Sequence, residues 1–226
     1  MDLRRLAQVA LTRLGERCSP EHIRNLNSAL NYLEVGRWLK AKGFEGEPRY
    51  PSRAALYDAI ASNIADERVL YLEFGVHRGT SMRQWSSLLR HPGASLHGFD
   101  SFAGLPETWD TFRPKGTFDV GGAIPTFDDA RITLHTGWFD ATLPAFELPE
   151  HERLVVNLDA DLYSSTKLVL DLLGSKLRPG SVLVFDEFCD RQHELRAFDE
   201  FLVETSLAFR FRGATKNLEH VAFERV

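Results

Sequence analysis

The spacing of apolar residues changes character once along the chain. Up to about residue 65 it is helical. Leu3, Leu6, Val9, Ala10 and Leu14 keep the three-and-four rhythm of one helix face. Ser19-Pro20-Glu21 supplies a hydroxyl cap, a proline for the first turn and a carboxylate near the positive end of the dipole, so a second helix is expected there. Ile23, Leu26, Leu30, Leu33 and Trp38 are expected to form its buried stripe. The run Gly43 to Pro48 breaks the pattern, and Ser52 is placed to cap a third helix with Leu56, Ile60 and Ile64 inward.

From residue 69 onward, short apolar runs alternate with helical stretches, the pattern of a parallel α/β sheet. The expected strands are Val69–Glu73, Ser95–Asp100, Ile132–His135, Leu154–Leu158 and Val182–Phe185. Helices are expected over Ser81–Leu89, after Leu158 and over about 191–204. Asp161 or Ser164 is placed to cap the second of these, which should stop at Arg178-Pro179-Gly180. Phe209–Arg212 and His220–Phe223 then read as a β-hairpin closing the sheet. Residues 103–130 form a long Gly- and Pro-containing connection of the kind used as a lid, with Trp109, Phe112 and Phe118 as apolar walls.

Two of the expected strands end in acid. Leu154–Leu158 runs into Asp159-Ala160-Asp161, and Val182–Phe185 into Asp186-Glu187. Carboxyl ends of strands face the ligand crevice of an open α/β sheet, so four carboxylates are expected in one place. Such a group repels itself unless a cation or shared protons relieve it, and hard oxygen donors suit Mg²⁺. Around the first strand the order is Glu73, Gly75, Gly79, Ser81, and the second strand ends in Asp100. This is not the dinucleotide GxGxxG spacing, and a carboxylate in the turn disfavours a pyrophosphate. An acid, a glycine turn and a second acid for ribose hydroxyls suggest a nucleoside cofactor carrying a positive centre, with S-adenosylmethionine as the candidate.

Composition narrows the partners. With 226 residues, 43% hydrophobic and 26% charged, the chain fits one α/β domain with decoration. The net charge of -5 and the lack of a Lys/Arg cluster argue against nucleic acid or an anionic membrane as partner. Cys18 and Cys189 stand far apart and read as free thiols, and the N-terminus lacks the apolar core of a secretory signal, so a cytoplasmic location is expected. The sequence leaves the oligomeric state open, a homo-oligomer included.

The segments YLEFGVHRGTS, GFDSFAGLPE, GWFDATLP, LDADLYSST and VLVFDEF, in that order over about residues 68–205, resemble the macrocin O-methyltransferase (TylF/NovP/MycE-like) family. The resemblance implies a Rossmann-like class I methyltransferase fold: a mostly parallel seven-stranded sheet with a C-terminal antiparallel hairpin and extra N-terminal helices. It implies a helical extension over 1–65 and a donor-binding domain over 66–226, built as one compact unit. The expected activity is S-adenosylmethionine-dependent, Mg²⁺-dependent methylation of a hydroxyl on a sugar or polyol-bearing small molecule. Carried over by position, Asp159, Asp186 and Glu187 are expected at the metal, and Asp161 as the base. Glu73, Gly75, Gly79 and Ser81 are expected at the methionine end of the cofactor, Asp100, Ser101 and Phe102 at its ribose and adenine, and Gly137 and Trp138 at the adenine edge. Two other readings stay open at this stage. Asp159-Ala160-Asp161 matches the DxD of metal-dependent sugar-nucleotide transferases, and a methyltransferase-like domain can be kept as a catalytically inactive binding partner.

Overall fold

A computed structural model describes residues 2–226 apart from Glu45 and Glu47, so part of the expected break at 43–48 lies outside the described residues. Two helices lead the chain, α1 (Leu3–Gly15) and α2 (Pro20–Ala41). Ser19 caps α2 as expected, its Oγ accepting from the His22 amide at 3.3 Å. The buried stripe is not where periodicity put it. Ile23, Leu26, Leu30 and Leu33 are exposed and α1 buries no residue, while α2 buries Val35 and Leu39 and, of the expected stripe, packs only Trp38, half-buried, against the core. Spacing reports which side of a helix is apolar, not whether anything lies against it.

The chain then adds β1 (Arg49–Tyr50), α3 (Arg53–Ala61, capped by Ser52), β2 (Val69–Phe74), α4 (Thr80–Leu88), β3 (Ser95–Asp100), β4 (Ile132–Thr136) and α5 (Phe139–Thr142). It continues through β5 (Arg153–Leu158), α6 (Tyr163–Leu173), β6 (Val182–Phe185), α7 (Glu194–Thr205), β7 (Phe209–Thr215) and β8 (Val221–Arg225). The strand order is β1-β7-β8-β6-β5-β2-β3-β4. All pairings are parallel except those of β8 with β6 and β7. The expected hairpin-closed sheet is present with one strand more than the seven anticipated. The addition, β1, is two residues long and too short for a hydrophobic period to register.

Each central strand feeds both faces of the sheet, because successive side chains alternate. Leu70, Leu72 and Phe74 of β2 join Leu173, Phe185, Phe198 and Phe223 on one face, together with Val35 and Leu39. Val69 and Tyr71 join Leu56, Tyr57, Ile60 and Trp85 on the other. α3 and β1 are thus part of the sheet's packing.

After β2 the chain adds strands outward through β3 and β4, then returns to the opposite side of β2 with β5. The switch point lies between β2 and β5, where open α/β sheets bind ligands. Register brings the tips level there. Phe74 pairs with Leu158 and Leu158 with Phe185, so Gly75, Asp159 and Asp186 follow side by side.

Candidate functional site

The tips are tied by backbone. The Asp159 amide donates to Phe74 O at 2.9 Å, and the Asp186 amide to Leu158 O at 3.0 Å. A cavity of about 650 Å³ opens above them. Of the expected site residues, Gly75, Asp100, Ser101, Trp138, Asp159, Asp161, Asp186 and Glu187 line it. Glu73, Gly79, Ser81, Phe102 and Gly137 do not: they lie behind or beside the wall. Arg53, His77 and Phe118 also face the cavity, as do Ser164 and Ser165 of α6.

The glycine loop is strapped to the end of β3. Asp100 Oδ2 accepts from the amides of Val76 at 2.8 Å and His77 at 2.7 Å. Its Oδ1 accepts from Phe102 at 2.7 Å, and the Gly137 amide donates to Asp100 O at 2.9 Å. One acidic residue therefore fixes three loops. Gly75, at φ +94, passes so close to Asp159 that a Cβ would overlap the Asp159 carbonyl oxygen. Gly79 takes the left-handed conformation at the start of α4, and Ser81 is buried in that helix's first turn.

Glu73 belongs to β2 itself and is buried beneath the loop, where Tyr71 Oη donates to its Oε2 at 2.6 Å. Burial pushes its carboxyl up to about 8, against the lowering pull of the Tyr71 hydrogen bond and of Arg53.

Asp161 sits half-buried at φ +61, a left-handed conformation that aspartate tolerates better than most side chains. It does not cap α6, and neither does Ser164. That helix starts at Tyr163 with Leu162 in the cap position and no side-chain bond from it. The Tyr163 amide instead donates to His193 Nδ1 at 3.1 Å, while Ser164 Oγ donates to Glu107 at 2.6 Å. Free of the helix end, Asp161 faces the cavity. Burial, followed by the charges of Glu187 and Asp186, lifts its carboxyl to about 7. Glu187 is likewise raised to about 7, mainly by burial and Asp186. Its backbone amide donates to Glu194 Oε2 at 2.9 Å, and Glu194 is itself fully buried.

Asp159 and Asp186 divide unequally. Arg53 Nη1 lies 2.8 Å from Asp186 Oδ1 and 3.4 Å from Asp159 Oδ2. His220 Nε2 lies 2.9 Å from the same Asp186 oxygen. Burial opposes ionisation of Asp186, but His220 and Arg53 together hold its carboxyl below the usual range. Asp159 is pushed well up by burial and by Asp186 and Asp161.

The donor set is chemically suited to a hard divalent ion, but its placement is not. Among the described residues no three Asp, Glu, His or Cys side chains stand together to hold one metal. A guanidinium already bonds two of the expected ligands. The residues as arranged do not fit the metal.

Beyond Glu187 lies a second groove of about 840 Å³ between α2 and residues 109–113. Asn25, Asn27, Ser28 and Asn31 line one side, Trp109 and Phe112 the other. The long connection before β4 builds a small core from Leu105, Trp109 and Leu162, while Phe112 and Phe118 are exposed. Cys18 and Cys189, both free and only half-buried, also border this groove. His135 pairs with His97 at 3.0 Å and stacks on Phe99, away from the cavity. No helix among the described residues is long and apolar enough to cross a membrane.

Comparison with known proteins agrees with this fold. The solved O-methyltransferase NovP is 22% identical and covers 76% of this chain and 77% of its own, with a TM-score of 0.59. CalS11, a calicheamicin methyltransferase, is 20% identical and covers 92% of this chain and 93% of its own, with a TM-score of 0.63. These likenesses bear out the Rossmann-like methyltransferase fold. A curated relative from Streptomyces olivaceus, 8-demethyl-8-(2,3-dimethoxy-alpha-L-rhamnosyl)-tetracenomycin-C 4'-O-methyltransferase, is 30% identical over 55% of this chain. The match spans 57% of that relative's length. The model of a family described as "Methyltransferase domain" matches residues 72–188, more than half of the sequence and all of the strand tips described above. The chain belongs to this methyltransferase-domain family.

Proposed function

We propose that the protein transfers a methyl group from S-adenosylmethionine to a hydroxyl of a sugar or polyol-bearing small molecule. The observation that carries this reading is the set of level strand tips. Gly75, Asp159 and Asp186 end adjacent strands at the switch point, with Asp161 facing the same cavity. The acidic wall complements a sulfonium donor. The sugar O-methyl transfer stated for the Streptomyces relative supports the acceptor class.

In the proposed reaction the acceptor oxygen attacks the methyl carbon in line with sulfur. The O–CH₃ bond forms, the S–CH₃ bond breaks, and sulfur leaves as a neutral thioether. An alcohol is a weak nucleophile until it loses its proton, which Asp161 takes. A carboxyl near 7 is matched to that task, being largely ionised at slightly alkaline pH yet basic enough to accept. The remaining acceleration comes from alignment, for which the fixed loops at Asp100 are suited. In this reading residues 66–226 carry the donor site. Residues 1–65 contribute one wall of the groove in which the acceptor lies, through Cys18 to Asn31.

Transfer of labelled methyl from S-adenosylmethionine to a panel of glycosides tests the proposal. Product is expected with at least one glycoside, together with calorimetric binding of the donor. A folded protein that gives no heat with the donor overturns it.

A further inference from the structure

Two of the three expected metal ligands already hold a cation, and it belongs to the protein. We propose that Arg53 is a built-in counter-cation of the strand-tip carboxylates, and that a divalent ion reaches Asp159 and Asp186 only by displacing its guanidinium.

A single nitrogen, Arg53 Nη1, bonds one oxygen of each aspartate, at 2.8 Å and 3.4 Å. A Mg²⁺ ion shared by those oxygens sits about 2.0–2.1 Å from each. The guanidinium nitrogen that bonds both oxygens stands in the way of an ion shared between them. His220 approaches the same Asp186 oxygen at 2.9 Å, so this oxygen is engaged from two sides. Guanidinium and dication cannot share the position, since like charges at contact repel and guanidinium carries no lone pair to ligate with. The third expected ligand, Glu187, bonds neither Arg53 nor His220 among the described residues, and it borders both the cavity and the groove beyond.

The fold allows this exchange without moving backbone. Arg53 is the first residue of α3, whose start is pinned by the Ala55 amide on Ser52 Oγ at 3.2 Å. Leu56, Tyr57 and Ile60 lock the rest of that helix into the core. The Arg53 side chain is 31% exposed and lines the open cavity. Rotation about its side-chain bonds is enough to withdraw the guanidinium from both carboxylates, leaving His220 as the remaining neighbour of Asp186.

The test is Mn²⁺ and Mg²⁺ binding to the full chain by calorimetry, comparing wild type with Arg53→Ala and Arg53→Met. Thermal melts confirm that at least one variant is folded. The variants are expected to bind Mn²⁺ about tenfold tighter than wild type or better, because a competing positive charge at contact is gone. Adding Asp159→Asn to either should abolish the gain. Equal or weaker binding in the folded variants, or none in any protein, overturns the proposal. A crystal structure of wild type grown with Mn²⁺ gives a second readout. Arg53 is expected to have left both carboxylates, and a metal on Asp159 and Asp186 with the Arg53 bonds intact refutes displacement. Neither measurement involves methyl transfer, so the inference stands or falls separately from the reaction proposed above.

Discussion

Gly75 and Asp159 meet across the boundary between β2 and β5 so closely that any side chain at position 75 would overlap the Asp159 carbonyl oxygen. The contact sets the height of the carboxylate relative to the glycine loop. Gly75 also holds φ +94, a conformation L side chains rarely adopt. Gly75→Ala is therefore expected to disturb both strand tips. Donor binding should be lost and the melting temperature lowered. A variant that binds the donor as wild type does would show that the loop has slack the structure does not display.

Glu73 gives a pH dependence of stability with a definite sign. Its carboxyl rises from 4.5 to about 8 on folding. Below 4.5 both states are protonated and nothing is lost. Between 4.5 and about 8 the unfolded chain ionises while the folded one does not, so stability falls; above 8 the loss levels off. The size is a few kcal/mol. Glu73→Gln should remove this component, so the melting-temperature difference between wild type and variant shrinks or reverses as pH rises. A cofactor ammonium drawn to Glu73 would ionise it, and binding near neutrality should then release a proton. Calorimetry in buffers of different ionisation enthalpy reads that proton.

Asp161 is assigned to the proton and not to the donor. Asp161→Asn should lower kcat by about 10²–10⁴-fold. Donor affinity should change little. If donor affinity falls as far as turnover, Asp161 is a binding residue and the base lies elsewhere.

Asp100 holds three backbone amides through one carboxylate. Asp100→Ala is expected to cost roughly 1–3 kcal/mol of stability, the range for bonds to a charged acceptor at a partly open site. Donor affinity should drop in parallel, because the glycine loop and the segment around Phe102 lose their common anchor. Asp100→Asn keeps an acceptor and should recover part of both.

Much of the sheet was legible because its signals are local. A buried strand such as β2 opens on the continuous apolar run Val69–Leu72, and the acids that follow β5 and β6 interrupt theirs at the tip. The grouping of Asp159, Asp161, Asp186 and Glu187 followed from the rule for strand ends. Arg53 was not legible. It lies 106 residues from Asp159 and 133 from Asp186, and its only local sign is a place in a helix's first turn. His220 was read as a strand residue for the same reason. The α6 cap failed differently: Asp161 and Ser164 are good capping residues, but His193 from a distant segment took the amide. The stripe on α2 was apolar by spacing but exposed from Ile23 to Leu33, with Trp38 alone reaching the core, since burial depends on what lies opposite.

The two hollows that meet at Glu187 come from separate stretches of chain. The donor side is floored by strands whose ends are locked to one another. The polar wall of the other side is formed by short side chains between Asn25 and Asn31, on a helix whose first half buries no residue. Altering that wall leaves the floor's hydrogen bonds intact. An engineer seeking a different alcohol could randomise those few positions and leave the methyl-delivering half untouched.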